Sequence, residues 1–265
     1  MNRKGITISG MELVGVMIIL LVTIVFLSGA LSQILELFKI KSETEACRAS
    51  LLAHATLKKA PLAIPSKIDC PRKKMVFYDD KVMINDKKVE EFSKLTNDIV
   101  NRHVAEQMRN CWYAVGEGKL DVFSGEIAGI NNVCLVCAEI TFGEDVDDEI
   151  YGYLDKYVKE NKVPVKGKEE ITYADYLGPA AKIYGSVDTA KKYYIFFMAM
   201  KPDLGLPAVK TILYPIFVAS NLLTPGQSEL FTTPLSDEEM RMLQKGFVTV
   251  GSIDVLSDGC TYLYN

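Results

Sequence analysis

The sequence predicts an α+β protein in which a long N-terminal transmembrane and stalk helix precedes one globular domain with a mainly antiparallel sheet. Three observations carry that expectation. Residues 13–35 form an uncharged apolar run, LVGVMIILLVTIVFLSGALSQIL. Beyond it, a helix-periodic stretch from about Val89 to Cys111 is followed by short β-prone runs at Val133–Phe142, Lys192–Met200, Thr211–Ser220 and Gly246–Val255. Finally, 49% hydrophobic and 24% charged residues over 265 positions suffice to bury a core.

The apolar run comes first in the argument. At 1.5 Å per residue its 23 residues make a helix of about 34 Å, enough to cross a hydrocarbon layer of about 30 Å. A cleaved secretory signal is the rival reading, because MNRKG is a basic head and Ser28-Gly29-Ala30 offers a cleavage site. Length favours retention, since a signal's apolar region spans about 7–15 residues. The later apolar runs are too short to cross lipid, so one span is expected. The domains expected are therefore a basic head at 1–10, a transmembrane helix at 11–35, a helical stalk at 36–60 and an extracytoplasmic α+β domain at 61–265.

Basic residues do not orient the span, because Arg3 and Lys4 on one side face Lys39, Lys41 and Arg48 on the other. Cysteines do. Cys47, Cys70, Cys111, Cys134, Cys137 and Cys260 form an even set, all after the span, as expected for disulfides in an oxidising space outside the cell. Six cysteines allow 15 full pairings, and sequence does not choose among them.

Glu12 stands just inside the span, where a carboxylate needs a partner or the positive end of the helix dipole. The head Lys4-Gly5, then Glu12 and a long apolar helix, resembles the class III signal of type IV pilins and archaeal pilin-like single-pass proteins. In that family a peptidase cuts after the Gly, and a Glu at the fifth mature position neutralises the next subunit's amine. The resemblance covers residues 1–35 and implies Glu12 as an assembly residue. The spacing departs from the family's: a cut after Gly5 makes Glu12 the seventh mature residue, and a cut after Gly10 the second. The globular part carries no resemblance.

Downstream, apolar positions Leu35, Phe38, Ala46, Ala49, Leu52 and Ala53 continue the helix into a stalk that Pro61 and Pro65 stop. Lys74–Tyr78 and Lys81–Ile84 read as a hairpin across Asp79-Asp80. Asp147–Asn161 reads as a helix, opened by the acidic run Glu144 to Glu149 because carboxylates favour a helix N-terminus. Tyr173, Tyr176 and Tyr184 offer either core packing or an aromatic contact face.

Chemical signatures are sparse. There is no nucleophile elbow, zinc-protease motif or dinucleotide fingerprint, and Gly116-Glu117-Gly118-Lys119 lacks a phosphate loop's spacing. His54 falls on the stalk and His103 on the amphipathic helix, both expected as structural. The acidic run lacks the glycine turn of a calcium loop. Cys134 and Cys137 have the spacing of a thiol redox centre, but in an extended strand residues three apart point to opposite faces. Disulfide partners on the two faces of a sheet are the better reading. No catalytic, cofactor-binding or metal residue is expected. Thirty Lys+Arg against 34 Asp+Glu, a net charge of −4, argue against nucleic acid as a partner. The function expected is a single-pass envelope protein, an interaction or structural subunit of a surface or pilus-like assembly whose partners are the bilayer and a protein or a second copy. The alternative is an anchored thiol oxidoreductase using Cys134 and Cys137.

Overall fold

The computed structural model describes residues 43–56, 68–120, 132–146, 150–165, 170–178, 187–200, 246–252, 260 and 262–264. The expected transmembrane helix, Glu12, the stalk at 36–42 and 57–60, Tyr184 and the strand expected at Thr211–Ser220 lie outside these residues. Among the described residues no helix is long and apolar enough to cross a membrane. The chain divides into two compact units, Met1–Glu43 and Thr44–Asn265; the second is an α+β domain.

Helix α1 covers residues 43–56. The hairpin forms as the sequence predicts, with β1 (Lys73–Phe77) antiparallel to β2 (Lys81–Ile84). A third strand, β3 (Lys87–Glu91), then extends it. It takes Val89 to Glu91 from the expected helix, for a local reason: Asn85 and Asp86 both adopt positive φ, at 50° and 62°, which makes the tight turn that right-twisted strands favour. Asn85 also accepts the Lys74 backbone N–H through its Oδ1 at 2.9 Å, fixing the turn against β1.

Helix α2 (Asn97–Ala114) begins where Thr96 caps it, Thr96 Oγ1 accepting the Ile99 N–H at 3.4 Å. It ends in a left-handed turn. Gly116 (φ 84°), Glu117 (φ 56°) and Gly118 (φ 70°) let the Gly116 N–H reach Tyr113 O and the Glu117 N–H reach Trp112 O. The glycines at 116 and 118 thus end a helix.

Strand β4 (Asn132–Phe142) is the axis of the sheet. On one side it pairs antiparallel with β7 (Tyr193–Met200), which pairs antiparallel with β8 (Phe247–Ser252). Its other edge is divided between two parallel partners: β1 lies along Ala138–Phe142, and β9 (Tyr262–Tyr264) along Val133–Leu135. The seven strands run in the order β3-β2-β1-β4-β7-β8, with β9 beside β4, and four of the six pairings are antiparallel.

One face of the sheet packs on α2. Met75, Phe77, Val82, Ile84, Val133, Leu135, Ala138, Ile140, Ile195, Phe197 and Val248 meet Val100, Val104, Met108 and Cys111 in a continuous apolar core. The other face is buried over the β4–β7–β8 half, where Cys134, Val136, Phe196, Met198 and Phe247 are all at most 2% exposed. Burial on both faces explains why β7 reads as an unbroken apolar run rather than an alternation.

Gly246 enters β8 at φ 97°, and a Cβ there would lie 2.1 Å from the Phe197 ring and 2.8 Å from Met198 O. Gly246→Ala is therefore expected to cost about 2–4 kcal/mol from left-handed strain plus overpacking. A urea midpoint unchanged by this substitution would remove that account of the strand entry.

Between β4 and β7 the chain forms a small outer layer. It consists of β5 (Ile150–Tyr151), α3 (Leu154–Glu160), α4 (Tyr173–Leu177) and β6 (Val187–Asp188), with β5 and β6 paired antiparallel. The helix expected at Asp147–Asn161 is corrected to the shorter α3. Glu144 to Val146 form a turn and Ile150–Tyr151 a strand, so the acidic run does not open the helix. Tyr153 precedes α3 at φ 71°, a backbone state that separates strand from helix. By contrast α4 has a capping box: Thr172 Oγ1 accepts the Asp175 N–H at 3.1 Å and Asp175 Oδ2 accepts the Thr172 N–H at 3.1 Å.

Candidate functional site

Three disulfides engage all six cysteines, and each joins separate elements. Cys47 of α1 bonds Cys70 ahead of β1, Cys111 of α2 bonds Cys137 of β4, and Cys134 of β4 bonds Cys260 ahead of β9. The register explains how neighbouring cysteines find different partners. Between Val136 and Ala138 the pairing with β7 shifts, leaving Cys137 as an extra residue in a bulge. The bulge turns Cys137 toward α2 together with Leu135 and Ala138, which lie in the α2-facing core. Cys134 is on the opposite face and fully buried. The C-x-x-C spacing therefore does not form a dithiol pair, and its two sulfurs serve two different layers.

Helix α1 is fastened to the domain by more than its disulfide. Leu51 is fully buried, and the Arg48 guanidinium lies 4.0 Å from the Tyr113 ring centroid while donating to Tyr113 O. Tyr113 Oη donates to Glu45 Oε1 at 3.0 Å, the Asp69 N–H donates to Ser50 Oγ at 2.8 Å, and Lys73 Nζ donates to Thr44 Oγ1 at 3.0 Å. His54 is buried on α1.

The outer side of α2 carries a polar and aromatic layer. Asn101 Nδ2 donates to Gly152 O at 3.1 Å. Arg109 Nε and Tyr173 Oη donate to Glu106 Oε2 at 2.9 and 3.2 Å, and Tyr176 Oη donates to Glu117 Oε1 at 2.5 Å. Burial, with the adjacent Glu106 and Glu117 charges, raises both tyrosine hydroxyls well above their usual range, so they remain protonated donors. Tyr173 and Tyr176 are thus core residues, as the packing alternative holds. The layer cements α4 to α2: its carboxylates are committed to internal donors.

At the other end of α2, Glu90 of β3 is held by Arg102 at 2.7 Å and by His103 Nε2 at 2.5 Å. Burial, partly offset by Glu90, lowers the His103 pKa below 6.5. Burial pushes the Glu90 carboxyl up, but its hydrogen bonds to Arg102 and His103 outweigh this and hold it below 4.5. For both groups the unfolded chain takes up a proton before the folded one does. Their contribution is complete above the unfolded pKa values and is lost as pH falls through the folded ones. Thermal stability is expected to decline from pH 7.5 to 5.5 and more steeply below 4.5. His103→Gln should flatten the upper part of that profile, and an equally steep profile in the variant would assign it elsewhere.

Among the described residues, no group of three His, Cys, Asp or Glu side chains converges as metal ligands do. Sequence reasoning placed Cys47 and Cys111 on helices and Cys134 and Cys137 on a strand, gave no element to Cys70 or Cys260, and did not find the Glu90–Arg102–His103 cluster, because it depends on β3. The Asn85-Asp86 turn was the signal for it. No protein-family model, curated protein or solved structure matches this chain.

Proposed function

We propose that the chain is a single-pass membrane-anchored envelope protein whose α+β domain stands outside the cytoplasm as an interaction subunit of a surface assembly, the pilus-like version using Glu12. The observation that carries this reading is the disulfide framework: three cross-links between separate elements are what an oxidising compartment permits and a reducing one removes. The uncharged run at 13–35 supplies the anchor. The thiol oxidoreductase alternative gains nothing from the geometry, since Cys134 is buried and bonded to Cys260 rather than to Cys137.

The reading is tested on the native protein. It is expected to remain in the membrane pellet after alkaline carbonate washing, and to show no free thiol by alkylation before reduction and six after it. Release of the intact chain into the wash would overturn the anchor, and rapid alkylation without reduction would overturn the compartment. Glu12→Ala is expected to reduce incorporation into an assembly while leaving the domain folded; normal incorporation would remove the pilus-like version.

A further inference from the structure

Charge is unevenly distributed along the chain. Residues 36–74, directly after the apolar run, contain nine Lys or Arg and four Asp or Glu, whereas residues 75–265 carry an acidic excess of ten. The fold adds to this basic stretch. On the sheet face away from α2, Lys74 lies beside Glu139 in the β1–β4 register. Arg72 Nη2 and Lys192 Nζ approach the same Glu139 carboxylate at 3.5 and 2.9 Å. One carboxylate, itself mostly covered, thus draws together two cations, with Lys74 next to it in the register. It cannot neutralise them all, and the Arg72 and Lys192 side chains remain 36% and 51% exposed. The nearby Val76, Met83 and Thr141 are partly exposed, unlike the buried β4–β7–β8 half of the same face.

We infer that this basic shelf of Arg72, Lys74 and Lys192 binds the phosphate-bearing headgroups of an anionic lipid surface, the bilayer that holds the chain's own N-terminal run. The inference rests on the anchored reading proposed above. Charge alone suits any polyanion, but attachment selects the membrane. Cys70, two residues before Arg72, is bonded to Cys47, which lies twelve residues beyond Leu35. Even fully extended, that segment spans at most about 43 Å. Tethering within that reach replaces a weak bimolecular encounter with the headgroups by an effective concentration of about the millimolar range. Each Lys or Arg near an anionic surface adds roughly fivefold to the attraction, and Glu139 keeps the shelf assembled before contact. Binding of this kind fixes which side of the domain faces lipid and leaves the rest of its surface for partners.

The test uses the full-length protein reconstituted in vesicles of phosphatidylcholine alone or of phosphatidylcholine with 30% phosphatidylglycerol, with lysine acetylation read residue by residue by mass spectrometry. Lys74 and Lys192 are expected to react about fivefold more slowly in the anionic vesicles, and 0.5 M salt should restore their rate. Exposed Lys94 and Lys156 should not change. Flotation with both vesicle types but equal Lys74 and Lys192 rates overturns the shelf and keeps the anchor. Flotation with anionic vesicles only overturns the anchor and keeps the shelf; flotation with neither overturns both. Arg72→Gln should shrink the rate difference at Lys74 and Lys192 while leaving Lys39 and Lys41, held at the surface by the anchor, unchanged; an undiminished difference at Lys74 and Lys192 counts against the shelf.

Discussion

Replacing both partners of the Cys134–Cys260 bridge with alanine is expected to cost about 5 kcal/mol, the largest single loss in the domain. The bridge closes a sequence separation of 126 residues, against 23 for Cys47–Cys70 and 26 for Cys111–Cys137. In the chain-entropy account the cost grows with the logarithm of the closed loop, giving about 3.5 kcal/mol for each of the two shorter bridges. Cys134 is also fully buried, so its sulfur leaves a void that alanine does not fill. Against a total stability of about 5–15 kcal/mol, this double variant is expected to be largely unfolded at 37 °C. Urea unfolding of the three double-alanine proteins should rank Cys134–Cys260 first. A ranking led by either short bridge would mean that native packing, rather than closure of the unfolded chain, sets their value.

Phe77→Ala is expected to cost about 3–5 kcal/mol, the usual loss for truncating a buried ring. Phe77 is fully buried at the end of β1, stacked on Phe142 at 5.4 Å and edge-on to His103 at 6.1 Å. It thus joins β1, β4 and α2 at one point, and no single neighbour can move to fill its place without disturbing another. Phe77→Leu should recover most of the loss. The measurement is the denaturant midpoint of both variants. If alanine and leucine behave alike, the ring's contacts are not what holds these elements together.

The elements that could be read from sequence were those whose pattern is local. The β1–β2 hairpin has a polar turn between apolar strands, α2 has Val100, Val104, Met108 and Cys111 at helical spacing, and β7 is a continuous apolar run. Only half of the site's logic was local. Opposite-face geometry predicted that Cys134 and Cys137 would seek different partners, and the bulge at Cys137 preserves that outcome by a route the sequence does not announce. β3 was missed because Lys87 to Glu91 is charged, as an exposed edge strand can be, and charge at that spacing also suits a helix. The acidic run at 144–149 misled for the same reason: it fits a helix start, but Tyr153 places the break after a strand. Lys192 joins Arg72 only through the order β1-β4-β7, which no linear pattern contains.

The shared edge of β4 bears on how this protein is made. Its two parallel neighbours come from far apart in the chain: β1 precedes it by about 65 residues and β9 follows it by about 130. A nascent chain emerging vectorially can complete the β1 half early, but the backbone groups of Val133 to Leu135 await a segment synthesised much later. Pairings so distant in sequence close slowly. Until then the β9-facing edge of that apolar stretch is where a neighbouring chain could add itself instead. The Cys134–Cys260 bond can form only once the late strand arrives, so it closes this interval last.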